Sequence, residues 1–99
     1  MPAQPDTLPD DAVLARKQGL AVVEGDERVV ILDLDRPADP PAVLVDSGRA
    51  VWEAVAEPRS IADVIASIAD RFAEDADVVA PSVRSFLAEL VERGLLLIA

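Results

Sequence analysis

Apolar positions along the chain keep two different rhythms. Between residues 20 and 45 they come in short runs rich in valine: residues 20–23, residues 28–34 and Ala42-Val43-Leu44-Val45. Short β-branched runs bounded by turn chemistry predict strands. Glu24-Gly25-Asp26-Glu27 separates the first two and reads as a hairpin turn. Residues 35–41 hold three prolines and two aspartates and predict a loop. Pro40 and Pro41 precede the third run directly. Neither donates an N–H, so that run is expected at the edge of a sheet.

After Val45 the rhythm changes to spacings of three and four. Asp46 and Ser47 are both good N-caps, and Val51, Trp52 and Val55 then fall on one face of a short helix that ends at Glu57-Pro58. Ser60, with Asp63 three residues on, opens a second helix with Ile61, Val64, Ile65, Ile68 and Phe72 as its core stripe. The acidic turn from Glu74 to Asp77 breaks it. A last helix is expected from near Asp77, with Pro81 in its first turn, where a missing donor costs little. Val79, Val83, Phe86, Leu87 and Leu90 form its stripe, and Gly94 stops it. Leu95-Leu96-Leu97-Ile98 follows as an apolar tail. Three strands followed by three helices predict an α+β domain with segregated layers.

Residues 1–12 carry Pro2, Pro5 and Pro9 beside Asp6, Asp10 and Asp11, which predicts a flexible tail ahead of one folded domain over residues 13–99. With 52% hydrophobic residues the composition is globular. The formal net charge of -10 sets the chain against phosphate-rich partners, nucleic acid and anionic membranes alike. No apolar run reaches the length of a spanning helix, and the N-terminus lacks a signal-peptide pattern, so a cytoplasmic protein is expected.

The chain contains no His, Cys or Tyr. This removes the usual general base, thiol chemistry and the commonest metal ligands, and no catalytic residue, metal site or cofactor is expected. Paired carboxylates at Asp10-Asp11, Asp33 and Asp35, and Glu74 to Asp77 read as solvated surface. Only Asp33 and Asp35, at strand spacing, suggest a site for a hard cation. Ser47-Gly48 at a helix start lacks the pattern of a phosphate loop and reads as a cap. Trp52 reads as core. On the last helix the apolar arc extends further on one flank, through Ala80, Arg84, Ala88 and Val91, than on the other, which holds Ser82, Ser85, Glu89, Glu92 and Arg93. That flank packs on a neighbouring helix or walls a groove.

The runs Val29-Val30-Ile31-Leu32-Asp33-Leu34, Val45-Asp46-Ser47-Gly48-Arg49-Ala50-Val51-Trp52-Glu53 and Phe86-Leu87-Ala88-Glu89-Leu90-Val91-Glu92-Arg93-Gly94-Leu95-Leu96 resemble the PqqD-like family, the precursor-peptide recognition elements of ribosomal peptide biosynthesis. The resemblance covers residues 20–98 and looks most like the stand-alone leader-binding proteins of lasso-peptide clusters. It implies a winged helix-turn-helix-like fold, with a three-stranded antiparallel sheet followed by three helices. It also implies a non-catalytic role: capture of a precursor's leader peptide as a strand beside the third strand and against the third helix. The leader would then be delivered to a maturation enzyme, a leader peptidase or a radical enzyme. The groove implied runs between Ala42, Val43, Leu44 and Val45 on one side and Ala80, Arg84, Leu87, Ala88 and Val91 on the other. The chain departs from the family pattern in its long Pro-rich second connection and in Asp46-Ser47 where members carry an Asn. The alternative is a winged-helix DNA-binding regulator, for which the last helix, with Arg84 and Arg93 against Glu89 and Glu92, is poor phosphate chemistry.

Overall fold

The structure, a computed structural model, describes residues 8–99. Two small antiparallel sheets and three helices enclose one core. The strands are β1 (Val13–Arg16), β2 (Leu20–Glu24), β3 (Arg28–Asp33), β4 (Ala42–Val45), β5 (Arg59–Ser60) and β6 (Leu96–Ile98). The helices are α1 (Asp46–Ala54), α2 (Ile61–Arg71) and α3 (Ala76–Glu92). One sheet has the order β2-β3-β4, the other β5-β1-β6. The first is the three-stranded sheet expected from the valine runs, and with the three helices it makes a winged-helix-like α+β arrangement. The second sheet adds to that expectation.

Alternation sets the faces of the first sheet. Val29 and Ile31 of β3 and Ala42 and Leu44 of β4 point inward and are buried. In the antiparallel register Val30 stands opposite Val43 and Arg28 opposite Val45, on the outer face. β4 is an edge strand, as the two prolines before it predict. Against the inner face pack the fully buried Trp52 of α1, Val64 and Ile68 of α2, and Val83, Leu87 and Leu90 of α3.

The apolar tail is β6. It pairs with β1 from Leu14↔Ile98 to Arg16↔Leu96 and buries Leu96 completely. A turn at Gly94 (φ +75°) aims it there: Gly94 N–H donates to Val91 C=O and Leu95 N–H to Leu90 C=O, a Schellman closure that needs the left-handed residue. Of the stretch read as a tail, residues 1–7 lie outside the described residues. Leu8–Ala12 are seated on the fold: Ala62 N–H donates to Asp10 C=O, Ile61 N–H to Ala12 C=O, and Arg84 to Leu8 C=O at 3.0 Å, with an Arg84–Asp10 ion pair beside it.

Local signals near the helix starts divide. Ser60 caps α2 by accepting from Asp63 N–H at 3.1 Å, as expected. Asp46 does not cap α1 with its side chain; it takes φ +52°, a left-handed conformation that Asp and Asn tolerate best among residues with a Cβ. α3 starts at Ala76, so Pro81 lies in the second turn rather than the first. Its missing N–H leaves the Asp77 carbonyl without its helical donor, at an exposed position.

Candidate functional site

A groove of about 610 Å³ opens along β4. One wall is the β4 edge, with Val43, Leu44 and Val45; the other is α3 over residues 78–86, with Val78, Val79, Ser82, Val83 and Phe86. Its floor is Val51 of α1 and Ile68 of α2; Phe72 stands at the end where β4 runs into α1, and Glu74, two residues on, completes the lining. Alternate β4 residues offer N–H and C=O groups outward with no strand beyond them in the described chain. Val43 and Val45 are 53% and 48% exposed. An unpaired strand edge beside an apolar trough is chemically a receptor for an extended peptide: backbone bonds hold it and the trough takes its side chains.

Three local features shape the trough. Gly48, in the first turn of α1, has no Cβ, and one built there would stand 3.2 Å from Phe86 Cζ, so the Phe86 ring lies against the α1 backbone. Phe72 follows the last residue of α2 and is 44% exposed, lining the groove instead of filling the core as its stripe position suggests. Glu74 is set by a second Schellman closure: Glu74 N–H donates to Ala69 C=O and Ala73 N–H to Asp70 C=O, with Ala73 at φ +54°.

The residues expected to form the groove divide between two places. Ala42 and Leu44 face the core, and Val43 and Val45 are at the open edge. Of the α3 set, Leu87 is 1% exposed in the core. Ala88 is buried and Val91 half-buried against it. Ala80 and Arg84 face the opposite cleft, of about 250 Å³, with Asp10, Ile65 and Ala66. The α3 residues that meet β4 are thus mainly Val79, Val83 and Phe86 of its stripe, with Val78 and Ser82 beside them. The expected flank is covered by two unforeseen neighbours, Leu8–Asp10 and β6. Phe72, Val78, Val79, Ser82, Val83 and Phe86 line the groove and lie outside the expected set. Their signal is Val78, an apolar residue off the core stripe, followed by small Ser82 and then Phe86. A helical projection averaged over the full length buries that signal under Ser85, Glu89 and Glu92.

The carboxylates considered for a cation have one already, from the chain itself. Lys17 Nζ lies 2.6 Å from Asp33 Oδ1 and 2.8 Å from Asp35 Oδ2. The hydrogen bond to Asp33, then that to Asp35, holds the Lys17 ammonium above the usual lysine range. The bond from Lys17 holds Asp33 below the usual carboxylate range, against its burial. Arg16 stacks on the Trp52 ring, 4.2 Å from its centroid, and donates to Trp52 C=O at 2.6 Å. Burial pulls the Arg16 guanidinium below its usual range. Trp52 is core, as expected. Among the described residues no three metal-ligating side chains come together, and no helix is long and apolar enough to cross a membrane.

The family described as coenzyme PQQ synthesis protein D (PqqD) matches residues 28–96, 69 of the 99 positions. The chain belongs to the PqqD family. The match begins at β3 and ends at β6, so it spans the β4 edge, all three helices and the groove between them. No curated protein matches this PqqD-family chain. Among solved structures, that of TbiB1 in complex with the TbiA(beta) leader peptide superposes with a TM-score of 0.72 at 22% identity, covering 83% of this chain and 93% of that chain. At that identity the likeness shows a shared fold.

Proposed function

We propose that this PqqD-family protein binds the leader segment of a ribosomally made precursor peptide and delivers the remainder to a maturation enzyme in the cytoplasm. The leader adds as a strand along β4 and lays alternate side chains into the trough against Phe72, Val78 and Phe86. The observation that carries this reading is the pairing of a free β4 edge with an apolar groove beside Val43, Leu44 and Val45. TbiB1, which shares the fold, is a leader-peptide binder, and that supports it. The protein itself supplies no chemistry in this reading. A chain without His, Cys or Tyr acts by raising the precursor's effective concentration at an enzyme, either a leader peptidase or a radical enzyme. A DNA-binding role draws no support from α3, whose Arg84 is engaged by Leu8 and Asp10.

Titration of the isotope-labelled protein with its precursor's leader tests this. Amide shifts are expected along Ala42–Val45 and over residues 78–86, with no change in peptide mass. Shifts confined to Leu8–Asp11, Ala80 and Arg84 would move the site to the opposite cleft, and a changed peptide mass would end the non-catalytic reading.

A further inference from the structure

Resting on the strand-addition reading, we infer that the groove selects peptides with basic residues ahead of an apolar centre, and that Glu74 sets this preference. Glu74 is the one charged side chain in a groove lining otherwise made of apolar residues, Ser47, Gly48 and Ser82. Its backbone is held by the closure after α2, and it forms no ion pair with any described residue. At the same end the groove opens into a second depression that shares Val45 and Phe72. There the two arginines are engaged: Arg71 lies 3.0 Å from Glu53, and Arg49 donates to Gly25 C=O at 2.8 Å. Asp26, Glu27 and Asp46 in the same depression, with Arg49 beside them, form no ion pair among the described residues. At the other end of β4, Arg93 reaches toward Pro40 C=O at 3.5 Å. The carboxylates thus gather at the Val45 end of β4, and Arg93 stands near the other.

The direction of the peptide follows from the sheet. β2, β3 and β4 are antiparallel throughout, and a fourth strand that continues the pattern runs antiparallel to β4. Its N-terminal half then passes Val45, Phe72 and Glu74. Lys or Arg there meets an unpaired carboxylate beside apolar walls, where the effective dielectric is lower than at open surface. The net charge of -10 steers a basic segment the same way.

A random dodecapeptide library displayed against the purified protein provides the probe, and anisotropy of the enriched, labelled peptides measures affinity. Enriched peptides are expected to carry Lys or Arg N-terminal to an apolar pair and to shift β4 amides. Glu74→Lys should turn that enrichment to Asp or Glu and weaken the wild-type-selected peptide at least tenfold. Glu74→Gln should weaken it about threefold, the scale of one partly exposed ion pair. Asp46→Asn keeps a residue suited to the left-handed backbone and should weaken it less than Glu74→Gln. All these losses should shrink at high salt. Peptides that shift β4 amides without basic enrichment, or whose affinity is unmoved by Glu74→Gln, overturn the charge selection and leave strand addition standing. Enriched peptides that leave β4 amides unmoved overturn strand addition and this inference with it.

Discussion

At the scale of single residues, two backbone positions carry strain or strain relief that burial alone does not reveal. Ala73 sits at φ +54°, where a side chain costs about 1 kcal/mol relative to glycine. Gly94 occupies the corresponding place after α3. Ala73→Gly should therefore raise stability by about 1 kcal/mol, a rise of roughly 4–8 °C in the melting midpoint of a domain this size. Differential scanning calorimetry checks it; a fall would mean that the entropy of the added glycine outweighs the relief. The Lys17–Asp33–Asp35 cluster yields a prediction in pH. The fold favours charged Asp33, so its contribution is full above the unfolded carboxylate value of about 4 and is lost as pH falls through the lower folded value. The fold also favours charged Lys17, whose contribution is full below about 10.4 and is lost as pH rises through the higher folded value. The stability gap between wild type and Asp33→Asn should thus stay level from about pH 5 to 9 and narrow only toward acid or strong alkali. Denaturant melts across pH measure it, and a gap that changes near neutrality would assign the effect to other groups.

At the scale of elements, α3 walls the candidate groove, and its two flanks behave differently. Val78 is exposed at the groove, whereas Val91 is half-buried against the core beside β6. Val78→Glu should leave the melting midpoint within a few degrees, since exposed substitutions stay within about 0.5 kcal/mol. It should weaken leader binding at least tenfold by placing a carboxylate under the peptide. Val91→Glu should lower stability by about 2 kcal/mol or more through an ill-solvated charge and change leader affinity of the folded fraction little. Calorimetric titration with thermal melts separates the two; the reverse pattern would restore the Ala80–Arg84–Val91 flank as the peptide wall. Much of this element map is legible in the sequence. Valine runs, the paired prolines and the stripes at spacing three and four place β2, β3, β4 and all three helices. The side of α3 turned toward β4 is not legible. It depends on what covers the other flank, and Leu8–Asp10 and β6 reach it by contacts distant in sequence. Phe72 shows the same limit. Its spacing puts it on the stripe of α2, but the helix ends at Arg71 and the ring leaves the core line.

At the scale of the whole molecule, a chain of 99 residues with its β4 edge left open needs its remaining surface closed elsewhere. The β5-β1-β6 sheet does this. β1 has only four residues, with little alternation in its burial, and three-residue β6 reads as a tail; β6 pairs with β1, which lies between it and the two-residue β5. Pairing them joins the end of α3 to the start of the domain, and Lys17 N–H extends the seam by donating to Leu95 C=O at 3.0 Å. The Lys17 side chain then reaches across to Asp33 at the end of β3, so one residue ties the second sheet to the first. The seam should thus set global stability without touching the groove. Leu96 is fully buried under it, and Leu97, its neighbour in the strand, is 51% exposed. Leu96→Ala should cost about 2–5 kcal/mol, as large-to-small core changes do, a sizeable share of a small domain's total stability. Leu97→Ser should cost no more than about 0.5 kcal/mol. Both should bind the leader with wild-type affinity at temperatures where they are folded, because Leu96 and Leu97 lie outside the groove lining. Hydrogen exchange of the β1 amides would follow the seam directly. Fast exchange throughout β1 in Leu96→Ala, with β3 and α2 still protected, would show the second sheet opening as a unit; loss of protection everywhere at once would show the two sheets unfolding as one.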